Sequence, residues 1–123
     1  MVGRRTFERM ERSGVPGMKT FVFSQTLRQR DYPEVTVVAE KPEATVAALR
    51  ASAAKDIWLF GGGAPFHSLA EAGLVDTVEV TVIPVLLGGG IPLLPPPSNR
   101  IKLLPTGHKV YQTGAVSLEY RTT

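Results

Sequence analysis

The run Gly61-Gly62-Gly63, set between the apolar stretch IWLF (57–60) and the segment APFHSLAEA (64–72), constrains the fold more than any other feature of the chain. A glycine inside a regular element costs roughly 0.5 to 1 kcal/mol relative to alanine, so three together mark a backbone path that side chains would obstruct. The order of apolar run, glycines and amphipathic segment predicts a strand turning sharply into a helix. Pro65 agrees, because proline is favoured in the first helical turn, where its missing N–H is no loss. Two uses of such a junction are open: a tight, closely packed turn, or a cradle whose free N–H groups and helix dipole meet a phosphate. The spacings G-x-G-x-x-G and G-x-x-x-x-G-K-[ST] are both absent, since Phe66 stands three residues after Gly63 and no lysine follows.

Around this junction, strand and helix signals alternate. Residues 4–13 predict a short helix carrying Phe7 and Met10 on one side and ended by Gly14, followed by a turn at Val15-Pro16-Gly17. KTFVFS (19–24) and VTVVA (35–39) predict strands, with the polar loop QTLRQRDYPE between them. PEATVAALRASAAK (42–55) predicts a helix with Pro42 in its first turn and Val46, Leu49 and Ala53 along one stripe. IWLF predicts a buried strand with Trp58 and Phe60 in the core, and the helix after the glycines turns Phe66, Leu69 and Ala70 inward before Gly73 closes it. The remaining strands are 74–84, 101–105, 108–112 and 115–123. In the first of these Val78, Val80 and Val82 share one face. In the last, Val116, Leu118 and Tyr120 point inward and Ser117, Glu119 and Arg121 outward. The implied fold is α/β: a three-layer mixed sheet, parallel with helical crossovers early and antiparallel at its C-terminal end. The chain enters directly into a helix, so such a sheet is expected to lack its beginning.

Composition narrows the function. With 123 residues and 43% hydrophobic content, one domain over 1–123 is expected. The net charge of +3 comes from 14 scattered Lys and Arg, which favours small anions over nucleic acid. Cysteine is absent, which removes disulfides and thiolate chemistry and suits a cytoplasmic protein. His67 and His108 lack metal-ligand spacing, so no metal is expected; His67 is expected to face solvent and His108 to begin a strand. The stretch VTVIPVLLGGGIPLLPPP (80–97) is cut by Pro84, Gly88 to Gly90 and Pro92, so no membrane span is expected, and its own glycine triplet reads as a bent loop.

Two further groups are candidates for anion binding. Gly3-Arg4-Arg5-Thr6 places two guanidinium groups and a hydroxyl at a helix start, where positive charge opposes the dipole unless an anion is met there. Solvated surface charge explains the same tetrapeptide. Ser24-Gln25-Thr26 ends the first long strand, where ligands commonly sit in open α/β sheets, and turn chemistry explains it equally well. Asp76 and Glu79 form no catalytic pair.

In order, GRRTFE, a strand ending VFS, a helix, a strand entering GGG with an aromatic three residues on, and LVDTVEVTVIPVLLGGGIPL resemble the dihydrofolate reductase-like superfamily. PVLLGGGIPL looks like the bacterial branch that includes the riboflavin-biosynthesis reductase domain, and the likeness runs over essentially the whole chain. The resemblance implies an NADPH-binding reductase acting on a small-molecule substrate. It implies that Gly3, Arg4, Arg5 and Thr6 contact the cofactor phosphates, that Ser24 and Gln25 lie beside the adenosine phosphate, and that Gly61, Gly62, Gly63 and Ala64 lie against the pyrophosphate and nicotinamide ribose. Phe66 takes the family's aromatic position and Thr81 the substrate side of the sheet; some members carry arginine where Ala64 stands. Members begin with a strand, a substrate-covering loop, a helix and another strand ahead of the Gly-Arg stretch, and here Met1 falls two residues before Gly3. The catalytic residue is therefore not carried over.

Two functional classes follow. One is an NADPH-dependent reductase passing hydride to a pterin, pyrimidine or related ring or carbonyl. The other is a truncated, catalytically inactive remnant that binds nucleotide or oligomerises. Bare strand edges tend to pair, so a homodimer is expected in either case. An unrelated anion-binding α/β domain is the third reading.

Overall fold

Strands of two or three residues, FVF and TVV among them, build the first layer. The computed structural model describes residues 1–52 and 55–123. Strands β1 (Val2–Gly3), β2 (Phe21–Phe23) and β3 (Thr36–Val38) pair in parallel in that order, with Val2 opposite Val22 and Val22 opposite Val37. Helix α1 (Arg4–Arg9) leaves β1 and lays Phe7 on this layer. Val2, Phe7, Val22 and Val35 form the core, with Met10, Leu27, Tyr32 and Val37 packed around it. The Phe7 ring is fully buried and meets Tyr32 edge to face at 5.5 Å. The loop before β3 is held by one side chain, as Gln29 donates to the carbonyls of Tyr32 and Val35 and accepts the Val37 N–H.

The expected helix over 4–13 ends early, at Arg9. Gly14 does not terminate it; Glu11 and Arg12 take the left-handed region (φ 58 and 56), and the Arg12 N–H bonds back to the Phe7 carbonyl. Left-handed backbone costs an ordinary residue about 1 to 2 kcal/mol, a cost offset here by that bond and by the Arg12 guanidinium on the Tyr32 hydroxyl. Helix α2 (Pro42–Ser52) starts at Pro42 as expected and buries Val46; Ala53 lies outside the described residues. Helix α3 (Gly63–Glu71) buries Pro65 and Leu69, and Gly73 follows it with φ 68.

The second layer is antiparallel. Strands β4 (Thr77–Val82), β6 (Val116–Thr122) and β5 (Leu103–Val110) pair in the order β4-β6-β5. The two short strands expected over 101–112 are one strand, with a register irregularity between Pro105 and Gly107. Ser117 was expected outward and is 7% exposed, because its hydroxyl donates to the Glu79 carboxylate across the pair. The parallel and antiparallel strands of the mixed α/β fold thus form two three-stranded sheets among the described residues.

Residues 57–60 lie between them. They run beside the chain start: the Met1 amino group donates to the Trp58 carbonyl (2.6 Å), Phe60 N–H to Met1 (2.8 Å) and Gly3 N–H to Gly61 (3.0 Å). Val2 and Gly61 make a parallel bridge. The other side of 57–60 faces a groove, so Trp58 and Phe60 are not core residues; they are 56% and 46% exposed, one ring edge-on to the other. No helix among the described residues is long and apolar enough to cross a membrane.

Two measurements check this account. Phe7→Ala is expected to lower the unfolding free energy in urea by about 3 to 5 kcal/mol, whereas Glu11→Gly raises it by up to about 1 kcal/mol. Burial also holds the Met1 amino group below its ordinary pKa of 8.0. The unfolded chain therefore binds more protons as pH approaches 8.0 from below, and stability rises with pH over that interval. Acetylation of Met1 is expected to flatten that rise.

Candidate functional site

Extended chain through Phe60 delivers the glycine turn to the same end of the parallel layer at which β1 passes into α1. The hydrogen bond from Gly3 N–H to the Gly61 carbonyl joins these two segments directly. Each glycine there has a definite neighbour. Gly62 has φ +107, outside the range of ordinary residues, and a Cβ on it would stand 3.0 Å from Pro65 Cδ. A Cβ on Gly61 would meet Thr6 Cγ2 at 3.1 Å, and one on Gly3 would meet Pro65 Cγ at 3.0 Å. At Gly63 the contact, with Pro95, is an ordinary 3.4 Å. Close packing of protein on protein therefore accounts for Gly3, Gly61 and Gly62, and of the two uses open from the sequence the tight turn is the one these contacts display.

The same packing leaves hydrogen-bonding capacity unspent. Helix α3 begins at Gly63 with Gly62 as its cap and no side-chain cap bond. Among the described residues the N–H groups of Gly62, Gly63 and Ala64 have no acceptor, while Phe66 N–H bonds the Gly62 carbonyl. Arg4 and Arg5 are exposed, and among the described residues neither joins an ion pair. Arg4 donates to the Thr26 hydroxyl at 3.2 Å. Guanidinium groups next to a helix start with free N–H groups are the arrangement that favours an anion, and none of the described residues supplies one.

Ser24 has a different task. It is buried, and its Oγ accepts the N–H groups of Thr26 and Leu27 at 3.1 and 3.0 Å, which is the turn chemistry named from the sequence. Its turn aims Thr26 at Arg4. Gln25 is exposed beside it. Gly61, Gly62, Gly63 and Phe66 line the groove with Trp58, Phe60, part of β4 and residues 91–93, around a volume of about 1020 Å³. Thr81 is exposed on β4 opposite Ser117 and does not line the groove.

Three features were not legible beforehand. Trp58 and Phe60 belong to the groove wall because, among the described residues, the edge beyond them is unpaired. Glu79 and Glu119 stand directly opposite each other on β4 and β6, and both line the groove; their distance of forty residues in sequence gave no signal. The proline loop runs as a strap along α3: Pro95 touches Gly63, the Pro97 carbonyl bonds His67 Nε2 (2.8 Å), and Asn99 bonds Glu71 through both backbone and side chain. His67 is thus a strap contact, and His108 lies within β5.

Residues 1–117 match the RibD C-terminal domain family. Two uncharacterized proteins of Bacillus subtilis strain 168 are similar: YyaP, 32% identical over 86% of this chain, and YwjB, 33% identical over 81%. The chain spans 56% and 57% of their lengths. Among solved structures, a protein assigned to riboflavin biosynthesis from Shewanella sp. PV-4 superposes with a TM-score of 0.82 at 23% identity, covering 99% of this chain and 72% of its own. A pyrimidine reductase-like protein from Corynebacterium diphtheriae gives 0.79 at 16% identity, covering 99% and 74%.

The two glycine triplets differ in a measurable way. Gly62→Ala is expected to destabilise by about 1 to 3 kcal/mol, because a left-handed position becomes strained and Pro65 is displaced. Gly89→Ala, where a Cβ meets nothing within 4 Å, is expected to leave the urea midpoint unchanged within about 0.5 kcal/mol.

Proposed function

Because the chain belongs to the RibD C-terminal domain family, we propose that it is the cofactor-holding part of an NADPH-dependent reductase. The fold is dihydrofolate reductase-like and reductase-like; the cofactor, the substrate and any turnover belong to the proposal. The observation that carries it is the meeting of Gly3-Arg4-Arg5-Thr6 with the Gly61-Gly62-Gly63 turn through one backbone hydrogen bond. In this reading Arg4 and Arg5 hold the 2'-phosphate, and the free N–H groups of Gly62, Gly63 and Ala64 donate to the pyrophosphate oxygens. Thr6 sets the spacing between the two segments, Ser24 and Gln25 border the adenosine end, and Phe66 lies where the nicotinamide enters the groove. NADPH, when bound, supplies a hydride for a pterin, pyrimidine or related ring or carbonyl. The chain's own work is to orient the dinucleotide by its charges and to keep one face of the groove apolar through Trp58 and Phe60. The resemblance implies a place near substrate for Thr81, and its exposed position outside the groove lining lends that role no support.

A specific observation favours a second reading. Among the described residues, 57–60 are hydrogen-bonded on one side only and β4 pairs only with β6, so two bare edges face the groove. A catalytically inactive remnant that binds nucleotide and no substrate fits that state of the 123 residues.

Titration with NADPH, followed by its nicotinamide fluorescence, tests the first step. Saturable enhancement is expected, and silence with both NADPH and NADH rejects the cofactor. Replacing Arg4 and Arg5 by Ala is expected to weaken NADPH about 10- to 100-fold and NADH much less, since a charge-assisted contact contributes about 1.5 to 3 kcal/mol. Equal losses remove the 2'-phosphate role. Saturable binding without oxidation of NADPH in the presence of pterin or pyrimidine substrates selects the remnant.

A further inference from the structure

Helix α3 carries a three-point attachment along one face. Gly63, His67 and Glu71 recur every four residues, which sets them on the same side of the helix. The proline strap meets that side at every second residue. Pro95 lies against Gly63, the Pro97 carbonyl accepts from His67 Nε2 at 2.8 Å, and Asn99 donates its backbone and side-chain N–H groups to the two carboxylate oxygens of Glu71. Four residues of helix advance about 6 Å, within the roughly 7 Å that two residues of extended chain can span, so helix and strap keep step in the same direction. Upstream there is no comparable hold among the described residues: the arm after β4, residues 83–90, ends in three glycines on which a Cβ would meet nothing within 4 Å.

We infer that Glu71 and His67 are positioning residues for the start of α3, holding the strap in the register at which it walls in Gly63. A Cβ on that glycine would stand 3.4 Å from Pro95 Cδ and 3.7 Å from the Leu93 carbonyl oxygen. The inference rests on the cofactor reading above, which gives the N–H groups there to the pyrophosphate. The strap has the chemistry of a wall. Residues 91–99, IPLLPPPSN, contain four prolines, which have no N–H to offer an anion, and no Asp or Glu to repel one. Proline also restricts the undocked chain, so less conformational freedom is lost when the strap settles. Leu94 and Pro95 are half-buried, and residues 91–93 line the groove together with Gly61, Gly62 and Gly63. Apolar cover beside N–H groups keeps water off them and strengthens their pull on negative charge, because the interaction grows as the local dielectric falls. A slip of the strap by one helical step carries Pro95 off Gly63 and opens that side to solvent.

Titration with NADPH and with NADH tests this, with hydrogen exchange at the Asn99 amide as a direct report on the latch. Glu71→Ala is expected to speed that exchange and to weaken both dinucleotides by the same factor, about 10-fold, since a bond to a charged group contributes on that scale and the pyrophosphate is common to both. Their affinity ratio stays fixed, in contrast to the Arg4 and Arg5 changes. Glu71→Gln keeps both bonds once the Asn99 amide turns over, and is expected to bind within about twofold of the unchanged chain. Asn99→Asp sets two carboxylates together and is expected to match Glu71→Ala, whereas Asn99→Asp combined with Glu71→Gln restores donor and acceptor and recovers the affinity. His67→Ala is expected to act in the same direction as Glu71→Ala. Binding by the unchanged chain with equal affinity in Glu71→Ala overturns this inference alone, as does a loss that Glu71→Gln shares. A fall in binding sites per chain without a change in the constant marks damage to the fold and overturns it equally. No binding by the unchanged chain removes the cofactor reading and this inference with it.

Discussion

The contact on which the site depends is the approach of two backbones at Gly3 and Gly61, closed by one N–H···O bond of 3.0 Å and wedged by Pro65. Side chains at Gly3 or Gly62 would strike that proline, and one at Gly61 would strike Thr6. This single approach brings the start of α1, with its two guanidinium groups, beside the start of α3, with its unpartnered N–H groups. It also fixes residues 57–60 as the fourth extended segment of the parallel layer, although too few bonds form for a ladder. Positive charge and helix dipole converge here without a counter-charge among the described residues, the arrangement that favours an anion.

Much of this was legible from the residues, for stated reasons. Pro42, Pro65 and Gly73 mark helix ends by backbone chemistry that tertiary context rarely overrides, and all three stand where the sequence put them. The parallel strands β2 and β3 were visible as short β-branched runs. Less legible were features decided by neighbours. Gly14 reads as a helix terminator, yet Glu11 and Arg12 end the helix because the Phe7 carbonyl and the Tyr32 hydroxyl reward the turn they make. Strict alternation put Ser117 outward; a carboxylate across the strand pair reverses the preference by accepting its hydroxyl.

At the site the same division holds. That the two candidate segments belong together was implied by the family resemblance, and the bond between Gly3 and Gly61 gives it a physical basis. What the glycines do could not be decided from spacing, since a turn that needs close packing and a turn that receives phosphate are built from the same residues. Their Cβ positions decide the first use and leave the second to the N–H groups, so both can hold in one structure. Ser24 shows the converse, a polar side chain at a ligand-favoured position whose capacity is consumed by its own turn.

Trp58 and Phe60 join these threads. An apolar strand between glycines and a helix is ordinarily buried on both sides, because parallel layers are covered on both faces and paired on both edges. Among the described residues pairing stops at the far edge of 57–60, and two large rings face a groove whose opposite wall is an edge of β4 with no described partner. Bare edges invite further strands, while bare apolar side chains invite any apolar surface. The groove has both, with Glu79 and Glu119 set in its antiparallel wall; the arm beyond β4 has the second alone. The two surfaces therefore select differently. The groove offers backbone groups beside apolar rings, whereas the arm offers apolar side chains alone.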